Sequence, residues 1–220
     1  MVMKIQVIAV MPAYNEEKKI GAVLKEIKKY VDKVIVVDDC SMDNTSAIAK
    51  SNGAIVVRHN INRGLGAALR TGFSKALDIT KNDNDVIITI DSDGQHVPSD
   101  IPKFIERIKE GYGFVLGQRD ISRYPLKKKI GNSLLTALTN LVCHTKLKDT
   151  ESGFRAFTRD SLSNLDLRSE RYEIAAEIIK EVGRNKVKAA NVPVRSPVYF
   201  HGKGVKVSDG IKNFLYILRR

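Results

Sequence analysis

The chain has no tryptophan, only two cysteines and no apolar run long enough to cross a bilayer. Cys40 and Cys143 lie far apart and make no Cys-x-x-Cys, so neither a disulfide scaffold nor a thiolate zinc site is expected, and a reducing compartment is. The four histidines are scattered without metal-ligand spacing. Between Met1 and Val10 a single lysine precedes a strand-like run, unlike a secretory leader. Gly64-Leu65-Gly66-Ala67-Ala68-Leu69 lacks a third glycine and follows the third strand rather than the first, which excludes a dinucleotide fingerprint. No RNP motif, zinc-finger spacing or aromatic-interleaved basic stretch is present, so no nucleic-acid partner is expected. What remains is a soluble or peripherally membrane-bound chain of 220 residues, long enough for one domain with its own core.

Acidic side chains are scarce in two particular segments. Residues 1–110 carry 16 Lys+Arg against 15 Asp+Glu, and 149–183 carry 5 against 8. The surplus behind the net charge of +12 sits in 111–148, with 7 against 1, and in 184–220, with 9 against 1. Such patches attract phosphorylated ligands or an acidic membrane face.

The first half alternates short apolar runs with helical periodicity. Strands are expected at Ile5–Met11, Lys33–Val37, Ala54–Arg58 and Val86–Ile90. Helices are expected at Asn15–Tyr30, Asp43–Ser51 and Gly64–Ile79, with Asn15 and Asp43 as caps. This order predicts an α/β domain whose mostly parallel, Rossmann-like sheet has helices on both faces. Pro98–Glu110 then reads as helix, Gly113–Gly117 as strand and Arg119–Lys129 as irregular and basic. Ile130–Thr145 and Tyr172–Val182 read as helices, and Lys186–Val194 as a strand. Val198–Lys206 reads as a loop and Ser208–Arg220 as an amphipathic helix. The expected division is a catalytic domain over 1–206 and a C-terminal helix over 207–220 that touches a membrane.

Ligands of an open parallel sheet sit beyond the carboxyl ends of its strands. Three such ends are polar here. Pro12-Ala13-Tyr14-Asn15-Glu16 follows the first strand and Asp38-Asp39-Cys40-Ser41-Met42-Asp43 the second. Asp91-Ser92-Asp93-Gly94-Gln95 follows the fourth. Asp91, Asp93 and Gln95 are hard oxygen ligands suited to Mg²⁺ or Mn²⁺. Carboxylates after the second strand can accept hydrogen bonds from ribose or a base edge, and Tyr14 can stack on a base.

With Asn62-Arg63-Gly64, Gln95-His96-Val97-Pro98, Gly117-Gln118-Arg119 and Ser152-Gly153-Phe154-Arg155-Ala156 following in order, the chain resembles the family 2 glycosyltransferases of the GT-A fold. It is most similar to the branch of dolichyl- and polyprenyl-phosphate mannose and glucose synthases. That resemblance implies an inverting transfer of mannose, glucose or N-acetylglucosamine from a nucleotide-diphosphate sugar, GDP- or UDP-linked, to a polyprenyl or dolichyl phosphate. It implies that Pro12, Tyr14, Glu16, Asp38, Asp39, Asp91 and Ser92 meet the nucleotide sugar. Asp91, Asp93 and Gln95 would hold Mg²⁺ or Mn²⁺. Asp93 and Arg119 would be the catalytic pair, and Arg119, Lys128, Asn132, Lys203 and Lys206 would hold the acceptor phosphate. The implied location is the cytoplasmic face of a membrane. The alternative is a GT-A enzyme with a glycan or protein acceptor, which needs a carboxylate base beside the sugar and no Arg119. In place of a second family arginine the chain has Lys127-Lys128-Lys129, which gives charge without a bidentate fork.

Overall fold

A computed structural model describes residues 5–120 and 126–195, the side chains of Lys127 and Lys128 excepted. The expected helix 207–220, and Lys203 and Lys206 before it, lie outside the described residues. The strands are β1 (Val7–Ala13), β2 (Lys33–Asp38), β3 (Ile55–Arg58), β4 (Val86–Thr89), β5 (Phe114–Arg119), β6 (Arg155–Thr158) and β7 (Ala189–Val194). The helices are α1 (Ile20–Ile27), α2 (Thr45–Ser51), α3 (Leu65–Ile79), α4 (Ile101–Lys109), α5 (Leu126–Cys143), α6 (Arg159–Ser163) and α7 (Ile174–Arg184). One sheet runs β3-β2-β1-β4-β6-β5-β7. Every pairing is parallel except those of β6, which is antiparallel to both β4 and β5.

The parallel strands are apolar on both faces because helices cover both. Along β1 the alternation of side chains divides the core in two. Val7, Ala9 and Met11 pack with Ile20, Val23 and Leu24 of α1, Ala49 of α2 and Ile101, Phe104 and Ile108 of α4. Ile8 and Val10 pack with Ala68, Leu69 and Phe73 of α3 and Ile174, Ile178 and Val182 of α7. The layers are tight where they carry glycine. A Cβ on Gly72 would fall 2.3 Å from Val10 Cγ1, and one on Gly183 of α7 would fall 1.9 Å from the Cys143 carbonyl oxygen.

Three expectations need correction. Asn15 caps no helix: α1 begins at Ile20, and Asn15 adopts φ 54° to join two loops. The basic stretch Arg119–Lys129 is not irregular throughout, since α5 starts at Leu126. No strand is expected between the helices Ile130–Thr145 and Tyr172–Val182, yet Arg155–Thr158 is the one antiparallel strand among the described residues. It is wedged between β4 and β5, so their carboxyl ends and the start of β6 share one edge.

Candidate active site

The loops after β1 and β2 are stitched together at this edge. Asn15 N–H donates to Ser41 Oγ at 2.9 Å, and Asn15 Oδ1 accepts from Met42 N–H at 2.8 Å. Glu16 N–H donates to Thr45 Oγ1 and Glu17 N–H to Asp43. Asp43 also accepts from Thr45 N–H at 2.9 Å, so it does order the start of α2, although Asn44 is the capping position. Burial raises the Asp43 pKa, but hydrogen bonds from Thr45 and Glu17 outweigh it and leave the carboxyl below its ordinary value.

Asp38 and Asp39 are both buried and both engaged. Asp38 accepts from Ser41 N–H and from the Ser46 hydroxyl, with Arg58 Nε 3.7 Å away. Asp39 holds His59 Nδ1 at 2.7 Å, Arg63 N–H at 2.9 Å and Gly64 N–H at 2.7 Å. The far ring nitrogen of His59 lies 3.0 Å from Thr71 Oγ1. Asp39 therefore braces the Asn62-Arg63-Gly64 loop, whose Gly64 has φ 93°. Tyr14 is half exposed at the same edge, while Glu16 and Pro12 are partly buried.

After β4, Ser92 Oγ donates to the Pro12 carbonyl and locks the loop to β1. Asp93 accepts from Gln95 N–H at 3.0 Å and from the Gln95 amide nitrogen. Asp91 is 43% exposed and its carboxylate has no hydrogen-bond donor among the described residues. Beneath it, Asp91 N–H donates to His96 Nδ1 at 3.2 Å, so the ring proton rides on Nε2. His96 stacks on Phe154 with centroids 5.0 Å apart, and burial lowers its pKa, so the ring is a neutral prop. Gly153 passes so close that a Cβ there would sit 3.2 and 3.3 Å from the Asp91 oxygens.

Among the described residues no three His, Cys, Asp or Glu side chains form a ready-made metal cage. Two carboxylates and a carboxamide still fit Mg²⁺ or Mn²⁺, because such ions commonly take one or two protein carboxylates and complete their shell with substrate phosphates and water. The open Asp91 oxygens face that way; a zinc-type closed site does not match.

On the other side of β4, Arg119 ends β5. Its Nε and terminal nitrogen meet the two oxygens of Asp149 at 2.7 and 2.9 Å, a bidentate fork. Arg119 and Asn132 of α5 come together in a cavity of about 70 Å³ that Gln118, Ser133, Thr136, Lys148 and Asp149 complete. That is room for more than the roughly 30 Å³ of one water. Lys128 lies on α5 but its side chain is outside the described residues.

Sequence reasoning missed Asp149, Lys148, Glu151 and Arg155. Burial pushes the Glu151 carboxyl up, against the pull of Arg155 and Arg119. Burial pushes the Arg155 guanidinium down to about 10, against Glu151, Asp91 and Asp149, so it stays charged at neutral pH. The signal for Arg155 was available, since an arginine opening an apolar run carries its charge into a sheet. A cavity of about 590 Å³ lies elsewhere, between α3 and 162–167, and includes none of these carboxylates.

The family model for glycosyl transferase family 2 matches residues 8–166 of the chain, a span that holds this carboxylate edge and the pocket beside it. The chain belongs to glycosyl transferase family 2. It is 41% identical over 95% of its length to uncharacterized protein MJ1222 of Methanocaldococcus jannaschii, covering 89% of that protein. It is 34% identical to the UDP-N-acetylglucosamine–dolichyl-phosphate N-acetylglucosaminyltransferase of Methanococcus voltae, over 95% of this chain and 93% of that one. In fold it resembles glucosyl-3-phosphoglycerate synthase of Mycobacterium tuberculosis, crystallised with Mn²⁺, UDP and phosphoglyceric acid. The TM-score is 0.75 at 23% identity, covering 96% of this chain and 78% of that one. The sheet and its helices are thus a GT-A domain, and the protein is a glycosyltransferase.

Proposed function

We propose that this glycosyltransferase moves a hexose or N-acetylhexosamine from a UDP-linked sugar to a polyprenyl or dolichyl phosphate, with inversion. One observation carries the reading: a small cationic pocket holding Arg119, Asn132 and Lys148 opens on the same sheet edge as Asp91 and Asp93. The name of the Methanococcus voltae relative supports a UDP-linked donor and a lipid phosphate.

Asp91, Asp93 and the Gln95 side-chain oxygen would hold Mg²⁺ or Mn²⁺ on the donor diphosphate. When bound, the ion neutralises the departing nucleoside diphosphate as a Lewis acid. Tyr14 and Glu16 line the nucleotide side, while Asp38 and Asp39 act there through the loops they brace. The acceptor phosphate has a second pKa of about 6, by analogy with phosphorylated side chains, and is already a dianionic nucleophile at neutral pH. Its main need is orientation. Arg119, held flat by Asp149, and Asn132 supply that.

The apolar side chains Leu126, Ile130, Leu134 and Leu141 recur at helical spacing along α5 and are all more than half exposed. In a segment whose sequence also carries Lys127-Lys128-Lys129, they suit an acidic membrane surface where a prenyl tail is presented. No helix among the described residues is long and apolar enough to cross a membrane.

A second reading, a glycan or protein acceptor, needs a carboxylate base. Glu151 meets that need, being partly buried, with desolvation raising its pKa. Glu151→Gln separates the two: a base would cost 10²-fold or more in kcat, as general bases do, whereas a lipid-phosphate acceptor leaves kcat within about tenfold. A thermal-shift panel of UDP- and GDP-sugars, with and without Mn²⁺, tests the donor half. A metal-dependent shift with a UDP-sugar is expected; a folded chain that no sugar nucleotide stabilises would defeat the reading.

A further inference from the structure

Arg155 opens β6 at the sheet edge that carries the site. It pairs in register with Thr89, two residues before Asp91, and with Leu116, three before Arg119. The strand is pinned there by Thr89 Oγ1–H donating to the Gly153 carbonyl at 2.7 Å and Gly117 N–H donating to the Phe154 carbonyl at 2.9 Å. Its side chain leaves β6 on the same face as Phe157, two residues on, and is 2% exposed. The Nε atom has no hydrogen-bond partner, one of two such buried side-chain atoms among the described residues. Asp149 is committed to Arg119, and neither Asp91 nor Glu151 pairs with Arg155.

A buried guanidinium nitrogen without a partner is costly, and native proteins keep one only where something else completes it. Here the completing group must be an anion or a water. The carboxylates around Arg155 are Asp91, Asp149 and Glu151, and the nearby cation is Arg119. With Asp149 neutralised by Arg119, and Asp91 placed to share a divalent ion, an incoming phosphoryl oxygen meets a site that is no longer net negative.

We propose that Arg155 is an anion-binding residue of the transfer site, its guanidinium taking a phosphoryl oxygen that enters beside Asp91. This rests on the transferase function proposed above and adds to Arg119 a further phosphate-binding arginine. Two sources share the chemistry: the diphosphate of the donor and the monophosphate of the acceptor. Arginine suits either, since its fork matches phosphate geometry.

The test uses the full chain with Arg155→Met and Arg155→Gln, each first checked for cooperative unfolding. Titration with UDP and Mg²⁺ reads the donor arm, and steady-state KM for a short-chain prenyl phosphate reads the acceptor arm. A charge-assisted contact predicts a loss of about tenfold or more in one of the two, without equal loss in the other. Which arm falls names the source. Folded variants within twofold of the parent on both arms would overturn the proposal and leave Arg155 a water-completed structural residue. Should neither variant fold, the parent decides: the Nε–H signal of Arg155 in a ¹⁵N spectrum must shift on adding UDP with Mg²⁺ or the prenyl phosphate. No shift, when other signals report binding, refutes it. A parent chain that binds UDP but never transfers to prenyl phosphate sinks the acceptor class alone, and the UDP arm still judges Arg155. A parent that binds neither ligand sinks both.

Discussion

Asp39 shows how a residue that reads as a ligand contact can be a brace. It lies beside His59 with both side chains about 7% exposed. Its oxygens take His59 Nδ1, Arg63 N–H and Gly64 N–H, all at 2.9 Å or less. Asp39→Ala would strand two backbone donors and a buried imidazole. Hydrogen bonds to a charged acceptor contribute about 1.5–3 kcal/mol each. Part of their sum is recovered, because the variant no longer buries a carboxylate. A net loss of about 3–4 kcal/mol is the expected result. For a chain of this length that lowers Tm by about 10 °C, at roughly 2–4 °C per kcal/mol. Urea unfolding and a thermal scan measure it. UDP affinity should fall only as the loop loosens, and should recover partly in Asp39→Asn, which keeps one acceptor oxygen. If Asp39→Ala stays within about 1 kcal/mol of the parent and still loses donor binding, the carboxylate touches the nucleotide directly and the brace argument is wrong.

Gly153→Ala would push a methyl against Asp91 and His96. It should weaken metal-dependent donor binding about tenfold for about 1–3 kcal/mol of stability; an unchanged Mn²⁺ titration would mean Asp91 is not a ligand. Arg119→Ala should raise the acceptor KM about tenfold or more while UDP binding holds, and equal loss of both would contradict its placement. On Asp85 and Asp100 burial works to raise the pKa, but hydrogen bonds from Gln6, Asn82 and Lys81, and from Lys103 and Arg195, outweigh it and leave both below 3.8. Their stabilisation is therefore full above that value and lost as pH falls through the folded values. Unfolding free energy should drop steeply below about pH 4, less so in Asp85→Asn; a flat acid limb would refute the assignment. Gly183→Ala, aimed at the Cys143 carbonyl, should prise α7 from α5 and abolish cooperative unfolding at 37 °C, which near-ultraviolet dichroism would detect.

The parallel half was legible because its signals are local. The runs of β1, β2 and β4 are β-branched and bounded by polar turns, and α3 keeps an apolar stripe over four turns. β6 was not legible: four residues buried on both faces show no period, and only its neighbours β4 and β5 define it. Asp91 and Asp93 stood out because they follow an apolar run at a strand end, whereas Arg119 was marked only by the resemblance to family 2 glycosyltransferases. The Arg119–Asp149 fork joins positions 30 apart, and no spacing rule reaches that far. Asn15 read as a cap because Asn commonly caps; its left-handed backbone instead serves the Ser41–Met42 turn.

The most direct test of the central claim supplies the chain with UDP-sugars labelled in the sugar, a polyprenyl phosphate and Mg²⁺, and follows the label into organic solvent. The account predicts label in the lipid phase, abolished by chelation and by Asp93→Ala. Label found only in water-soluble or protein-linked products, from any UDP- or GDP-sugar, would contradict it.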